Sequence, residues 1–153
     1  MINLKRVILL MPKSPLISIV FGTRPEIIKL APVIIKLKAN SKINIRVICS
    51  GQHKDIVKPI MKIFDIREDL NLEIMKEKQT LNYVVTETIR GLDEEFDLNK
   101  PDLVLVQEDT STAFATALCA FNKKIKIGHI EAGLRTDNLG EPYPEEGNRR
   151  LIS

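Results

Sequence analysis

Short apolar runs alternate along this chain with helical segments long enough to cross a sheet, and that alternation leaves few folds open. Leu16 to Phe21, Ile43 to Cys49, Asp102 to Gln107 and Ile125 to Ile130 are rich in Ile, Val and Leu. Such near-continuous apolar runs read as strands covered on both faces, because a half-covered strand alternates apolar with polar residues. Leu70 to Met75 reads as a further, edge-like strand. Between these runs, Arg24 to Asn40, Lys54 to Phe64, Thr80 to Phe96 and Thr110 to Asn122 follow the helical period. In the third of them Leu81, Val84, Val85, Thr88, Ile89 and Leu92 share one face. Strands separated by helices run parallel, with right-handed crossovers and helices on both sides of the sheet. The predicted fold class is α/β, a Rossmann-like doubly wound parallel sheet.

Local signals support those boundaries. Thr23 and Glu26 have the spacing of a capping box, and Pro25 is tolerated in the first turn, where its missing N–H has no intrahelical partner. Pro59 predicts a bend in the second helix or a late start. With 153 residues the chain is long enough for one domain with a real core and too short for two. Aromatic residues make up only 5% and Trp is absent, so aliphatic packing has to build that core. A formal net charge of +3 is too small to argue for nucleic acid, and no basic stretch is interleaved with aromatics. Cys49 and Cys119 sit in apolar runs and read as small buried hydrophobes, which suits a reducing, cytoplasmic setting.

Residues 1–15 begin with basic character, and the apolar run from Val7 to Met11 is broken by Pro12, Lys13, Ser14 and Pro15. That run is too short for a secretory signal, and a membrane span needs about 20 apolar residues. The segment reads as an N-terminal extension, with Met11 as an alternative initiator, and no membrane partner is expected.

The chemistry concentrates near the other end. His129-Ile130-Glu131-Ala132-Gly133-Leu134-Arg135-Thr136 follows a strand, and Pro144-Glu145-Glu146-Gly147-Asn148-Arg149-Arg150 follows soon after. Ligands of open α/β sheets bind outside the carboxyl ends of the strands, and a crowd of acids and arginines there suits an enzyme that binds a diphosphate and moves protons. The intervening stretch, Ala132 to Tyr143, is longer than most connections in such folds, which points to a functional loop. Pro144, Glu145 and Glu146 make a good helix opening, and so little chain follows that residues 16–153 read as a truncated domain.

Asp109, Glu145, Arg149 and Lys29 admit two readings each. Asp109 is a catalytic acid beyond a strand or the N-cap of the helix that follows. Glu145 is a functional acid or a complement to the helix dipole. Glu131, directly after a buried strand, has the least structural reason to be acidic, and it and Asp109 sit on strand ends about 5 Å apart if the strands are neighbours. Arg149 lies four residues after Glu145, as a plain ion pair or a diphosphate clamp. Arg24 stands at a strand-to-helix junction of the kind that binds anions. Lys29 is a ligand to the site or a solvated helix charge, His53 a polar loop residue, and His129 a satisfied histidine behind Glu131.

Five motifs occur in order: Phe21-Gly22-Thr23-Arg24-Pro25-Glu26, Gly51-Gln52-His53, Gln107-Glu108-Asp109-Thr110, the His129 to Thr136 segment, and Pro144-Glu145-Glu146-Gly147-Asn148-Arg149. With them the chain closely resembles the N-terminal part of the non-hydrolysing UDP-N-acetylglucosamine 2-epimerases, from about Leu16 to Ser153. The resemblance implies the incomplete first domain of a two-domain, glycosyltransferase-B type fold, with the second domain absent and the active site in the cleft between the two. It implies interconversion of UDP-N-acetylglucosamine and UDP-N-acetylmannosamine by elimination and re-addition of UDP, with no cofactor and no metal. It assigns Asp109, Glu131 and Glu145 as catalytic acids, and Arg24, Lys29 and Arg149 to the substrate. Gln52, His53 and Gln79 match a second, regulatory UDP-N-acetylglucosamine site. The partners implied are UDP-N-acetylglucosamine and a C-terminal domain or second chain that supplies the missing half, with a homodimer as one arrangement. The other readings are a non-catalytic remnant, a hydrolysing epimerase, or a glycosyltransferase of the same architecture. One departure stands out: the family usually has glycine where this chain has Glu108. A glutamate there strains the turn, blocks the sugar, repels an anionic nucleotide, or points to solvent.

Overall fold

A computed structural model describes residues 14–153. The proposed alternative start at Met11, and most of the extension, lie outside the described residues. The described chain runs β1 (Leu16–Phe21), α1 (Arg24–Lys38), β2 (Asn44–Cys49), α2 (Lys54–Ile63), β3 (Leu70–Asn71), α3 (Leu81–Leu98), β4 (Leu103–Gln107), α4 (Ser111–Asn122), β5 (Lys126–Ile130) and α5 (Glu145–Ile152). The strands form one sheet in the order β3-β2-β1-β4-β5, every pair parallel. Chain direction across the sheet reverses between β1 and β4, where Ile17 pairs with Leu103 and Ile19 with Leu105. This is the doubly wound arrangement that the alternation of strands and helices predicts.

The near-continuous apolar strands are explained by two cores, one on each face. Ile17, Ile19, Phe21, Leu103 and Leu105 turn to one side, against Ile27, Leu30 and Ile34 of α1 and Val57 and Met61 of α2. Val20, Ile48, Val104 and Val106 turn to the other, against Leu92 and Phe96 of α3 and Ala113, Cys119 and Ala120 of α4. Successive side chains of a strand point to opposite faces, so a strand covered twice has to be apolar at every position. Cys49 and Cys119 are free and buried, and burial pushes both thiols up to about 11. Across the second face, buried Glu95 of α3 is paired with Arg46 of β2.

Two expectations are corrected. The strand expected from Leu70 to Met75 is only Leu70–Asn71. Asn71 Oδ1 accepts the Glu73 N–H at 3.0 Å, and Glu73 takes φ +52°, so a side-chain turn replaces extended backbone. The segment still follows the sheet, since the Leu72 and Ile74 N–H groups reach the Cys49 and Ser50 carbonyls at 2.9 and 3.1 Å. The helix α2 starts at Lys54, with Pro59 inside it, rather than late at the proline. The helices α3 and α4 are capped by Thr80 and Thr110, whose hydroxyls accept the N–H groups of Tyr83 and Ala113. Among the described residues no helix is long and apolar enough to cross a membrane.

Candidate active site

The crevice at the carboxyl ends of β1 and β4 is built from three turns, and buried polar contacts lock them together. Gly22 follows β1 in a space that admits no side chain: a Cβ there would lie 2.2 Å from Ser50 Oγ and 2.5 Å from Thr112 Oγ1. Those two hydroxyls are 3.1 Å apart, and Thr112 also donates to Gln52 Oε1 at 2.9 Å. Glu26, fully buried, joins the turn after β1 to the turn after β4. Its Oε2 accepts the Gly22 N–H at 2.9 Å and both the N–H and the hydroxyl of Thr23 at 2.8 Å. Its Oε1 accepts the Thr110 hydroxyl at 2.8 Å. Burial pushes the Glu26 carboxyl above its ordinary range, opposed by the same hydrogen bonds. The capping role was legible from the spacing; the bond to Thr110 was not.

Asp109, in the turn after β4, is buried and paired with Arg149 Nη2 of α5 at 2.5 Å. Its carbonyl accepts from Asn148 Nδ2 at 2.7 Å. Thr110, not Asp109, caps α4, and the Asp109 carboxylate pairs with Arg149 instead. Burial pushes the Asp109 carboxyl above the ordinary range, the neighbouring Glu108 charge adds to that, and Arg149 pulls the other way. The pairing of Arg149 with Glu145 is corrected: its partners are Asp109 and, at 3.6 Å, Glu146. The inward face of α5 carries Glu146, Asn148 and Arg149, whereas Glu145 is half-buried on its flank. Glu146 was not singled out from the sequence. It accepts the Thr136 N–H at 3.0 Å and Arg150 Nε at 2.7 Å, while Arg150 Nη2 holds the Thr136 carbonyl at 2.8 Å. The long loop is thereby tied to α5, and Arg150 keeps the Glu146 carboxyl below its ordinary range.

Glu131 sits just beyond β5 at φ +61°. Its Oε2 accepts from Lys29 Nζ and from Gln107 Nε2, both at 2.5 Å. Lys29, exposed on α1, is thus paired with Glu131 across the turn rather than standing free. The lysine lowers the Glu131 carboxyl, and Glu131 in turn raises Lys29. Glu108 also lies in the left-handed region, at φ +59°, where glycine is at ease, so the turn is strained. Its carboxylate faces Lys29 Nζ at 3.3 Å and Gln107 Nε2 at 3.2 Å rather than solvent. His129 stands behind this turn, its Nε2 2.6 Å from the Glu108 carbonyl. Gln107 Oε1 and Arg149 Nε are buried without a partner among the described residues.

Of the remaining positions, Arg24 is exposed at the first turn of α1. Gln79 donates from Nε2 to the Gln52 carbonyl at 3.1 Å, and exposed His53 follows, its N–H on the Gly22 carbonyl at 3.2 Å. No group of three or more His, Cys, Asp or Glu among the described residues is placed to hold a metal.

The family model described as UDP-N-acetylglucosamine 2-epimerase matches residues 35–153. The UDP-N-acetylglucosamine 2-epimerase of Neisseria meningitidis serogroup A is 49% identical over 134 residues, covering 88% of this chain and 36% of that protein. The enzyme of the same name from Campylobacter jejuni is 48% identical, covering 89% and 36%. The Neisseria meningitidis enzyme solved with UDP-GlcNAc superimposes with a TM-score of 0.86 at 47% identity, over 90% of this chain and 37% of that one. A Methanocaldococcus jannaschii UDP-GlcNAc 2-epimerase solved with UDP-GlcNAc and UDP gives 0.83 at 36% identity, over 90% and 37%. A kitacinnamycin glycotransferase, 12% identical with a TM-score of 0.53 over 77% of this chain and 30% of that one, shares the fold alone. The chain thus spans about a third of the length of the relatives it matches, 36% in the first two. By its motifs, its strand order and these matches, the chain belongs to the UDP-N-acetylglucosamine 2-epimerase family.

Proposed function

We propose that this chain forms one wall of the active site of a UDP-N-acetylglucosamine 2-epimerase, with the opposite wall supplied by the part of the family's polypeptide that the chain does not span. The observation that carries the reading is the convergence of Asp109–Arg149 and Glu131–Lys29 on the turns after two neighbouring strands. Epimerisation at C2 removes a weakly acidic proton from one face and delivers one to the other, while the C1–O bond to UDP breaks and re-forms. Two acids in different environments suit that task. Asp109, raised by burial, is fit to hold and return a proton, whereas Glu131, lowered by Lys29, stays ionised. Glu145 serves as a third acid from the flank of α5. Arg24, Lys29 and Arg149 offset the charge of the departing diphosphate. Gln52, His53 and Gln79 form a second, regulatory contact for the nucleotide sugar, a reading supported by the bond from Gln79 to Gln52. A cytoplasmic setting completes the reading, supported by two free, buried cysteines.

The test joins this chain to the remaining two-thirds of the Neisseria meningitidis relative and follows UDP-N-acetylglucosamine in D2O by proton NMR. Loss of the sugar H2 signal with growth of mannosamine signals is expected, and Asp109→Asn should abolish both. A folded chimera that leaves H2 untouched would refute the assignment.

A further inference from the structure

The backbone of Glu108, in its left-handed conformation, is anchored on β5. Its N–H donates to the Ile130 carbonyl at 3.0 Å, and its carbonyl oxygen meets His129 Nε2 at 2.6 Å. So anchored, the turn aims the Glu108 side chain at Lys29 Nζ and Gln107 Nε2. These are the same two donors that bind Glu131. One ammonium and one amide therefore serve two carboxylates, from the turns after β4 and β5. A glycine at this position would relax the backbone and leave both donors to Glu131 and to any anion entering the crevice.

We propose that Glu108 is a positioning residue and an internal competitor for Lys29: it holds the ammonium between the two strand ends, and a diphosphate that binds Lys29 competes with the Glu108 carboxylate. The competitor half rests on the nucleotide-sugar reading above, and the positioning half does not. The charged groups facing this ammonium are Glu131 beyond β5 and Glu108 beyond β4. Asp109, next along the turn, is occupied by Arg149 of α5. Lys29 is held above its ordinary range first by Glu131, with Glu108 adding to it.

Acetylation of individual lysines in the full chain, read by mass spectrometry near pH 8, reports the fraction of each amine that is neutral. Lys123, paired with Asp93 at 2.9 Å and Asp97 at 2.5 Å, is the internal reference. Glu108→Gln keeps the size of the side chain and removes its charge; Glu108→Gly removes the charge and relaxes the turn. Both should raise Lys29 acetylation about twofold to fivefold relative to Lys123, the effect of one partly exposed ion pair. An unchanged ratio in both variants overturns the positioning role. Inorganic pyrophosphate should then protect Lys29 at about twofold to fivefold lower concentration in Glu108→Gln than in the parent chain. Equal protection overturns the competitor role. If pyrophosphate protects neither protein while the acetylation gain persists, the diphosphate reading fails and the positioning role stands.

Discussion

Replacing Glu26 tests whether one buried carboxylate joins the turns on which the site is built. It accepts two backbone N–H groups and two hydroxyls, with no exposure to water. In Glu26→Ala the hydroxyls of Thr23 and Thr110 can rotate to other acceptors, but the N–H groups of Gly22 and Thr23 cannot. A buried donor left unpaired costs about 1–3 kcal/mol, so the two together cost about 2–6 kcal/mol. Relief of the carboxylate's desolvation offsets part of that, and the expected net loss is about 3 kcal/mol. Glu26→Gln keeps an acceptor oxygen for the N–H groups and should lose only about 1–2 kcal/mol, the gap between charged and neutral hydrogen bonds. Urea unfolding followed by circular dichroism measures both. The pH dependence has a definite sign. The folded carboxyl lies above its ordinary value of 4.5, so between the two values the native state holds a proton that the unfolded chain has released. The contribution of Glu26 is therefore complete below 4.5 and falls away as pH rises through the folded value, and Glu26→Gln should remove that slope. A loss under about 1 kcal/mol in Glu26→Ala, or equal losses in the two variants, would refute the reasoning.

Arg149→Met leaves the Asp109 carboxylate buried without its cation; a loss of about 3 kcal/mol is expected in urea, with the Asp109 carboxyl moving further up in a carbon-13 NMR titration. Gly22→Ala brings a methyl group within 2.2 Å of Ser50 Oγ and should cost about 1–3 kcal/mol in urea, part of it recovered by adding Ser50→Ala. Glu131 is held below its ordinary value of 4.5, so its contribution is present above that pH and is lost as pH falls through the folded value. Glu131→Gln should flatten that acid limb of the stability profile while leaving the slope from Glu26 in place.

The architecture was legible because its signals are local and repeated. Each apolar run and each helical period is read from neighbouring residues, and their alternation admits only a parallel sheet with right-handed crossovers. Errors fell where a single side chain reset the backbone, as when Asn71 turned the chain at Glu73 and cut the third strand short. The site was legible as a set of residue types near strand ends, but not as a set of partners. Arg149 is equally spaced for Glu145 by sequence, and only the docking of α5 on the turn after β4 directs it to Asp109.

The sequence by itself determined the fold class, the capping box of the first helix and the concentration of acids and bases beyond β4 and β5. These follow from periodicity and from chemistry within one helical turn. Only the tertiary structure decided that Glu26 joins two turns, that Lys29 stands between Glu131 and Glu108, and that Glu146 ties the long loop to α5. Glu26 and Thr110 are 84 residues apart, and Lys29 and Glu131 are 102 apart. Such contacts depend on strand order and on how each helix rotates against the sheet, which is settled by burying both apolar faces at once rather than by any local pattern.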